Sequence, residues 1–87
     1  MVIEKRIIIR AKLGLHARPA AIFVQIANKY DSEITVRKGS NEVNGKSIMG
    51  VMMLAAEMGS DVKVIARGPD EEEALAALVE VIGSKFE

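Results

Sequence analysis

The sequence predicts one α+β domain, a two-layer open-faced sandwich with the element order βαββαβα. Apolar and polar residues alternate in four short stretches, as they do in strands that have one face in solvent. Three other stretches have apolar residues at helical spacing. A chain of 87 residues has room for one hydrophobic core. We therefore expect a single domain over residues 1–87, with all three helices on one face of the sheet.

The first strand and the first helix are predicted from a change of period. Residues 2–10 alternate in polarity, and Gly14 interrupts the pattern. Helical spacing then runs from residue 17 to about residue 30, with Pro19 in the first turn, where its missing N–H removes no hydrogen bond. The residues predicted for the buried stripe of this helix are Ala20, Phe23, Val24, Ala27 and Tyr30.

Two short strands and a second helix are predicted for the middle of the chain. Residues 33–38 alternate, and after a turn residues 42–44 form a short partner strand. Ser47 is a favoured N-cap for a helix over residues 48–58. Gly59 suits the C-terminal end of that helix.

The last strand is predicted over residues 61–67, and the last helix begins at Asp70. Asp70 and Glu73 form a capping-box-like pair. Gly83 ends the helix, and Lys85 lies near its negative end. The residues predicted for its buried stripe are Leu75, Leu78, Val79 and Ile82. The alternation by itself leaves the order of strands within the sheet open.

The composition argues against several classes of function. Lys plus Arg and Asp plus Glu each number 12, so the basic surface of a nucleic-acid-binding domain is missing. The aromatic residues are Phe23, Tyr30 and Phe86, which is few for stacking on bases. The chain has no cysteine, so disulfides and thiolate metal sites are excluded and a cytoplasmic location is expected. No signal peptide or membrane-spanning run is predicted.

His16 is the only histidine, and it precedes the first predicted helix. The first N–H groups of a helix have no partners within it, and the helix dipole is positive there, so an anion is stabilised at this point. A neutral imidazole has a free lone pair and can attack phosphorus. Arg18 can add charge-assisted hydrogen bonds to phosphate oxygens. A histidine at this position could therefore accept a phosphoryl group.

Three other interpretations of His16 are weighed against this one. His16 can simply cap the helix, with Arg18 as a solvated side chain; for an isolated pair of such residues this is the better interpretation. A metal site is disfavoured because no second histidine and no cysteine can share the ion. A serine hydrolase is disfavoured because no serine lies in a recognisable nucleophile elbow.

The second predicted helix is apolar on nearly all sides, although a short helix on a small sheet buries only one side. We expect Val51 and Leu54 to lie in the core, and Met49 and Met52 to be exposed. An exposed apolar patch usually marks a partner surface, and methionine adapts to partners of different shape. The alternative is that these residues are simply core.

Ser47 also has two interpretations. As an N-cap it contributes about 1 kcal/mol to stability. As a phosphorylation site it would carry about two negative charges beside the apolar patch, without unfolding the helix, because a helix N-terminus tolerates phosphate. Phosphorylation would then repel an acidic partner.

Two seven-residue runs carry a resemblance to a known family. Residues 14–20 are Gly-Leu-His-Ala-Arg-Pro-Ala, and residues 46–52 are Lys-Ser-Ile-Met-Gly-Val-Met. The two runs resemble the active-site and regulatory-serine motifs of the HPr family, the histidine-containing phosphocarriers of the bacterial sugar phosphotransferase system. They occur at the separation expected in that family, and the likeness in length and element order covers nearly the whole chain.

The resemblance implies an antiparallel sheet of strand order 1-4-2-3 with three helices on one side. It also implies the reaction: enzyme I, phosphorylated from phosphoenolpyruvate, donates to Nδ1 of His16, and the carrier then donates to a histidine of an enzyme IIA domain. Such a protein is a relay carrier without a cofactor, and it does not turn over a small substrate. A monomer is the simplest expectation for a protein that docks on successive partners.

The resemblance also implies roles for further residues. Arg18 would contact the phosphate, as would the backbone N–H of Ala17. Ser47 would be modified by HPr kinase/phosphorylase in some bacteria, and a transcriptional regulator is then a further partner. The residues implied for the docking patch are Ile48, Met49 and Met52.

Two alternatives stay open within this resemblance. The chain could be a regulatory binding module that acts through Ser47 and the apolar helix, with His16 idle, or a paralogue of the nitrogen-related branch. The intact run at residues 46–52 favours the sugar branch. The catabolite-repression paralogue lacks the active histidine, so the presence of His16 argues against it.

Overall fold

The computed structural model describes residues 2–84, and the sheet is its central element. The strands are β1 (Val2–Ile8), β2 (Glu33–Lys38), β3 (Asn41–Asn44) and β4 (Asp61–Arg67). They form one antiparallel sheet in the order β1-β4-β2-β3. The helices are α1 (Ala17–Ala27), α2 (Ile48–Met53) and α3 (Glu71–Ile82). The predicted fold class and the strand order implied by the resemblance are confirmed.

Alternation in the strands decides which face of the sheet the helices cover. Val36 lies opposite Val64, and Val64 lies opposite Lys5, so one row of side chains crosses three strands on the helix side. The valine members of this row are completely buried, whereas Lys5 at the outer strand is exposed. Phe23 of α1 and Leu78 of α3 are also completely buried in the same core.

Helix α1 ends three residues earlier than predicted. Asn28 is its C-cap, and the Asn28 side chain donates to the carbonyl of Val24 (2.9 Å). Tyr30 lies beyond the helix and is partly buried against the core. The periodicity that extended the helix to residue 30 therefore reflects burial that continues past the helix end.

Helix α2 ends at Met53, and the prediction that it reaches residue 58 is wrong. Ala55 has a φ of +53°, which breaks the helical path. The next residue, Ala56, accepts a hydrogen bond from the N–H of Leu15 (2.8 Å), and the N–H of Gly59 donates to Ile9 (2.8 Å). The chain after α2 thus pairs with residues 9–15, a long-range contact that local periodicity does not encode.

The capping box predicted for α3 is also wrong. Asp70 is the N-cap residue but makes no side-chain bond to its own helix. Its carboxylate instead accepts from the backbone N–H groups of Asp31 and Ser32 (2.9 Å each) and from the Ser32 hydroxyl. The side chain of Glu71, rather than Glu73, reaches back to the N–H of Gly68 (3.0 Å).

The buried stripe of α3 differs in part from the prediction. Leu78 and Ile82 are buried as predicted, but Leu75 and Val79 are only half-buried, and Ala74 takes the remaining core position. Gly83 is the C-cap, in agreement with the prediction. The expectations for Lys85 and Phe86 concern positions outside residues 2–84.

Candidate functional site

His16 is the N-cap residue of α1. Its backbone is extended (φ −81°, ψ −170°), and its carbonyl accepts from the N–H of Ala20 (3.0 Å). The imidazole makes no capping hydrogen bond and is half-buried. Within residues 2–84, neither ring nitrogen has a hydrogen-bond partner. The ring therefore stands at the positive helix end with its lone pair available.

The start of α1 offers two unused donors next to this ring. The first intrahelical hydrogen bond is made by Ala20, and Pro19 has no N–H to satisfy. The N–H groups of Ala17 and Arg18 are left, and neither has an acceptor in the part of the chain that the structure describes. Two N–H groups that point out of a helix end form a natural cradle for an anion.

Arg18 lies on the exposed side of the first turn. Its guanidinium has no carboxylate partner among the described residues, where the ion pairs involve Arg6, Arg37 and Lys63 instead. An unpaired guanidinium two residues after His16 can turn toward an oxyanion held at the helix start and bind it with two parallel hydrogen bonds.

The loop that carries His16 is fixed by its backbone. Gly14 has a φ of +70°, and a Cβ atom there would lie 2.2 Å from the carbonyl oxygen of Ala56. The adjacent Leu15 is buried and donates to that same oxygen. Only glycine permits this approach, so the sequence Gly14-Leu15 sets where His16 begins the helix.

Ser47 is the N-cap of α2, as predicted. Its hydroxyl oxygen accepts from the N–H of Gly50 (3.0 Å), and its carbonyl accepts from the N–H of Val51 (3.0 Å). The neighbouring Lys46 is held by its ammonium, which donates to the carbonyl of Tyr30 (2.6 Å). Ser47 is half-buried, and its hydroxyl caps the helix.

The predicted division of α2 into core and exposed residues is confirmed. Val51 and Leu54 are buried, whereas Met49 is 70 % exposed and Met52 is 40 % exposed. Ile48 is exposed as well. All three residues that the resemblance implies for the docking patch are therefore exposed.

The exposed apolar surface is larger than the sequence alone predicts. Met53, the last residue of α2, is 77 % exposed and adds to this surface. Leu13 and Met58 are also exposed, and sequence reasoning missed both. The exposure of Met58 was missed because the predicted helix extends to residue 58. The glycines that follow Leu13 and Met58 were the available signal, because they mark loops at the surface.

Helices α1 and α2 pack together in opposite directions, and this arrangement orders the site residues. The side chain of Asn28, at the end of α1, donates to Lys46, just before α2 (3.3 Å). Leu15, just before α1, donates to Ala56, just after α2. His16 therefore lies toward the C-terminal end of α2, and Ser47 lies at its N-terminal end. A helix of six residues is about 9 Å long.

Two other kinds of site find no support in the described residues. Residues 2–84 contain no group of three His, Cys, Asp or Glu side chains placed to hold a metal ion. No helix found among these residues has the length and apolar character needed to span a membrane.

The chain is similar to known proteins over nearly its whole length. A family model described as the PTS HPr component phosphorylation site matches residues 3–84. The phosphocarrier protein HPr of Treponema pallidum is 44 % identical, over 98 % of this chain and 97 % of that protein. The crystal structure of HPr-C-His from Thermoanaerobacter tengcongensis superposes with a TM-score of 0.91, at 56 % identity, over 97 % of this chain and 94 % of that one.

A regulatory relative is similar as well. Crh, the Bacillus subtilis catabolite repression protein, is 46 % identical over 92 % of both chains, and its crystal structure has a TM-score of 0.76 with the present one. That structure is described as a dimer with a swapping domain. Similarity alone therefore does not assign the partners or the oligomeric state. The fold is common to these relatives, and this chain belongs to the HPr family of the phosphotransferase system.

Proposed function

We propose that this protein is a phosphocarrier that accepts a phosphoryl group on His16 from phosphorylated enzyme I and donates it to enzyme IIA domains of sugar permeases. The observation that supports this most is the open start of α1. Among residues 2–84, the ring of His16, the two N–H groups beside it and the guanidinium of Arg18 all have no partner. A helix start closed by its own side chain would not offer these donors.

In the proposed transfer, a ring nitrogen of His16 attacks phosphorus, an N–P bond forms, and the N–P bond on the donor histidine breaks. The family assigns this role to Nδ1. The N–H groups of Ala17 and Arg18 then hold the phosphoryl oxygens, and the Arg18 guanidinium neutralises their charge. The product is a reactive intermediate that a second partner discharges, so the protein carries the group and is not a turnover enzyme.

The docking surface proposed for both partners comprises Ile48, Met49 and Met52. These residues are apolar, exposed and carried by a helix that is anchored in the core through Val51. Because α1 and α2 pack antiparallel, the loop of His16 lies at the C-terminal end of the helix that carries this surface. A partner that covers it would bring its own histidine to the start of α1.

Ser47 is the proposed site of regulation by HPr kinase/phosphorylase. A phosphate on its oxygen would add about two negative charges at the edge of the docking surface. Because Ser47 lies at the far end of α2 from His16, inhibition would act through repulsion of the partner, without direct contact with the active ring. A transcriptional regulator that binds the phosphorylated form is the corresponding further partner.

A regulatory module that acts only through Ser47 is the second candidate, and the likeness to Crh favours it. It predicts partner binding that does not change when His16 is replaced. The phosphocarrier predicts loss of phosphoryl acceptance in the same variant. A paralogue of the nitrogen-related branch would also accept phosphate on His16, and the intact run at residues 46–52 argues for the sugar branch instead.

The decisive experiment is phosphoryl transfer from phosphoenolpyruvate with purified enzyme I, beside a His16→Ala control. We expect an acid-labile, base-stable phosphate that is absent from the control. An acid-stable phosphate, or transfer that persists in the control, would contradict the proposal. We further propose a cytoplasmic monomer, which light scattering of the purified protein tests against the dimer described for Crh.

A further inference from the structure

Within residues 2–84, all the sulfur atoms belong to one short stretch of the chain. The chain has five methionines and no cysteine. Four of the methionines lie within residues 49–58, and all four are exposed; these are Met49, Met52, Met53 and Met58. The fifth is Met1, outside the described residues. Oxidation of sulfur within residues 2–84 can therefore fall only on this one stretch.

This methionine surface overlaps the proposed docking surface. Met49 and Met52 belong to both, and Met53 follows directly on the same helix. Met58 lies in the segment that pairs with the loop before His16, since the neighbouring Gly59 donates to Ile9 (2.8 Å). All four thioethers are thus carried by α2 or by the segment bonded to the active-site loop.

We propose that Met49, Met52, Met53 and Met58 form a modification site at which hydroperoxides convert exposed thioethers to sulfoxides and thereby weaken docking of the carrier on its partners. The inference rests on the proposed function, since it concerns the surface that the proposed partners cover. The modification is reversible in principle, because methionine sulfoxide is a substrate for dedicated reductases.

The chemistry is balanced by the peroxide alone. A lone pair on the methionine sulfur attacks one peroxide oxygen, an S–O bond forms and the O–O bond breaks. The departing oxygen takes up the proton and leaves as water, or as an alcohol if an organic hydroperoxide is used. Sulfur is oxidised and the peroxide is reduced by the same electron pair.

The fold should tolerate this change, whereas docking should not. The buried side chains of α2 are Val51 and the C-cap Leu54, and neither contains sulfur. The added oxygens therefore stay in water in the free protein. When a partner covers the surface, each sulfoxide must be dehydrated, and a flexible apolar contact becomes a polar one.

The test compares peroxide-treated and untreated protein in phosphoryl transfer from enzyme I, with the sulfoxides located by mass spectrometry. We expect the KM for the carrier to rise at least about tenfold, with a smaller change in kcat, and the circular dichroism spectrum to be unchanged. Methionine sulfoxide reductase should restore the original KM.

The matched control is a fourfold variant in which Met49, Met52, Met53 and Met58 are each replaced by Leu. Its own untreated sample is its baseline, and peroxide should leave its KM unchanged even though it retains Met1. An unaltered KM in wild-type protein that carries all four sulfoxides would overturn the inference, as would equal loss in the variant. If untreated wild-type protein accepts no phosphoryl group at all, the proposed function itself fails, which is a separate outcome.

Discussion

The loops that lead into α1 and α2 are held in the same way, but the two capping side chains behave differently. Each capping residue comes two positions after a glycine whose backbone is pressed against a neighbour: Gly14 against Ala56, and Gly45 against Ile34. A backbone hydrogen bond holds each loop in place. The N–H of Leu15 donates to the carbonyl of Ala56, and the N–H of Gly45 donates to the carbonyl of Ile34 (2.8 Å each). At α2 the capping side chain then closes the helix, and at α1 it does not.

The difference is set by the side chains at the capping residue and three positions later. The Ser47 hydroxyl oxygen satisfies the N–H of Gly50. At α1, Pro19 occupies the equivalent position and has no N–H. Within residues 2–84, the N–H groups of Ala17 and Arg18 have no acceptor. A side-chain cap contributes about 1 kcal/mol. The open start of α1 therefore forgoes this stabilisation and keeps its donors for an anion.

The replacement His16→Ser should convert the open start of α1 into a capped one, and it has the largest expected effect. A serine hydroxyl can accept from the N–H of Arg18, so the free energy of unfolding should rise by up to about 1 kcal/mol, while phosphoryl acceptance is lost. Urea unfolding and transfer from enzyme I measure the two quantities. A loss of stability would mean that the imidazole is a packing element, and the contrast between the two helix starts would not hold.

The start of α3 supplies a third case, in which the capping carboxylate is directed away from its helix. The Ser32 hydroxyl, followed by the backbone N–H of Asp31, lowers the pKa of Asp70 below its ordinary value. A lowered folded-state pKa stabilises the fold above the unfolded pKa, and the stabilisation disappears as the pH falls through the folded value. Asp70→Asn should therefore lower stability at neutral pH and flatten its acid dependence below about pH 4.

Asp31→Asn is the control for this prediction, because the structure shows only the backbone of Asp31 in contact with Asp70. Chemical unfolding of both variants at neutral and acidic pH separates the two carboxylates. Equal pH profiles for Asp70→Asn and the wild type would show that the carboxylate bonds to the 31–32 turn do not stabilise the fold.

Ser47→Ala tests the closed helix start directly. Loss of the bond to Gly50 should reduce the free energy of unfolding by about 1 kcal/mol, with phosphoryl acceptance on His16 retained. The same residue replaced by Asp should slow transfer from enzyme I while it keeps the cap. Loss of phosphoryl acceptance in Ser47→Ala would contradict this prediction, because it would mean that acceptance on His16 depends on the cap at the far end of α2.

These helix starts also show what the sequence could and could not predict. Ser47 was identified because the hydroxyl and the N–H that it caps are three residues apart, and His16 because it precedes a periodic stretch. Asp70 was misassigned because its carboxylate bonds to residues about forty positions earlier in the chain. Local patterns predict hydrogen bonds between residues near each other in the sequence. The order of strands in the sheet and the partners of the Asp70 carboxylate depend on residues far apart in the sequence.

The end of α2 was mispredicted for the same reason. The apolar residues beyond Met53 continue the pattern of the helix, but Ala56 is bonded to Leu15 from a distant part of the chain. The exposure of Met49 and Met52 could be predicted because a short helix buries only one side. The exposure of Met58 could not, because it depends on where the helix ends.

The smallest expected effect concerns this end of α2, where Ala55 occupies the left-handed region with a φ of +53°. Its carbonyl accepts from the Lys38 ammonium (3.0 Å), which holds the turn in place. Glycine has no Cβ to clash in this region, so Ala55→Gly should stabilise the fold by about 0.5 to 1 kcal/mol, after its larger loss of backbone entropy.

The matched control is Ala76→Gly, an exposed position within α3, where the same replacement should destabilise by about 1 kcal/mol. Thermal unfolding of the two variants should therefore shift in opposite directions. A shift in the same direction would mean that the turn relaxes at no cost, and that the bond between Leu15 and Ala56, rather than the conformation of Ala55, determines where α2 ends beside His16.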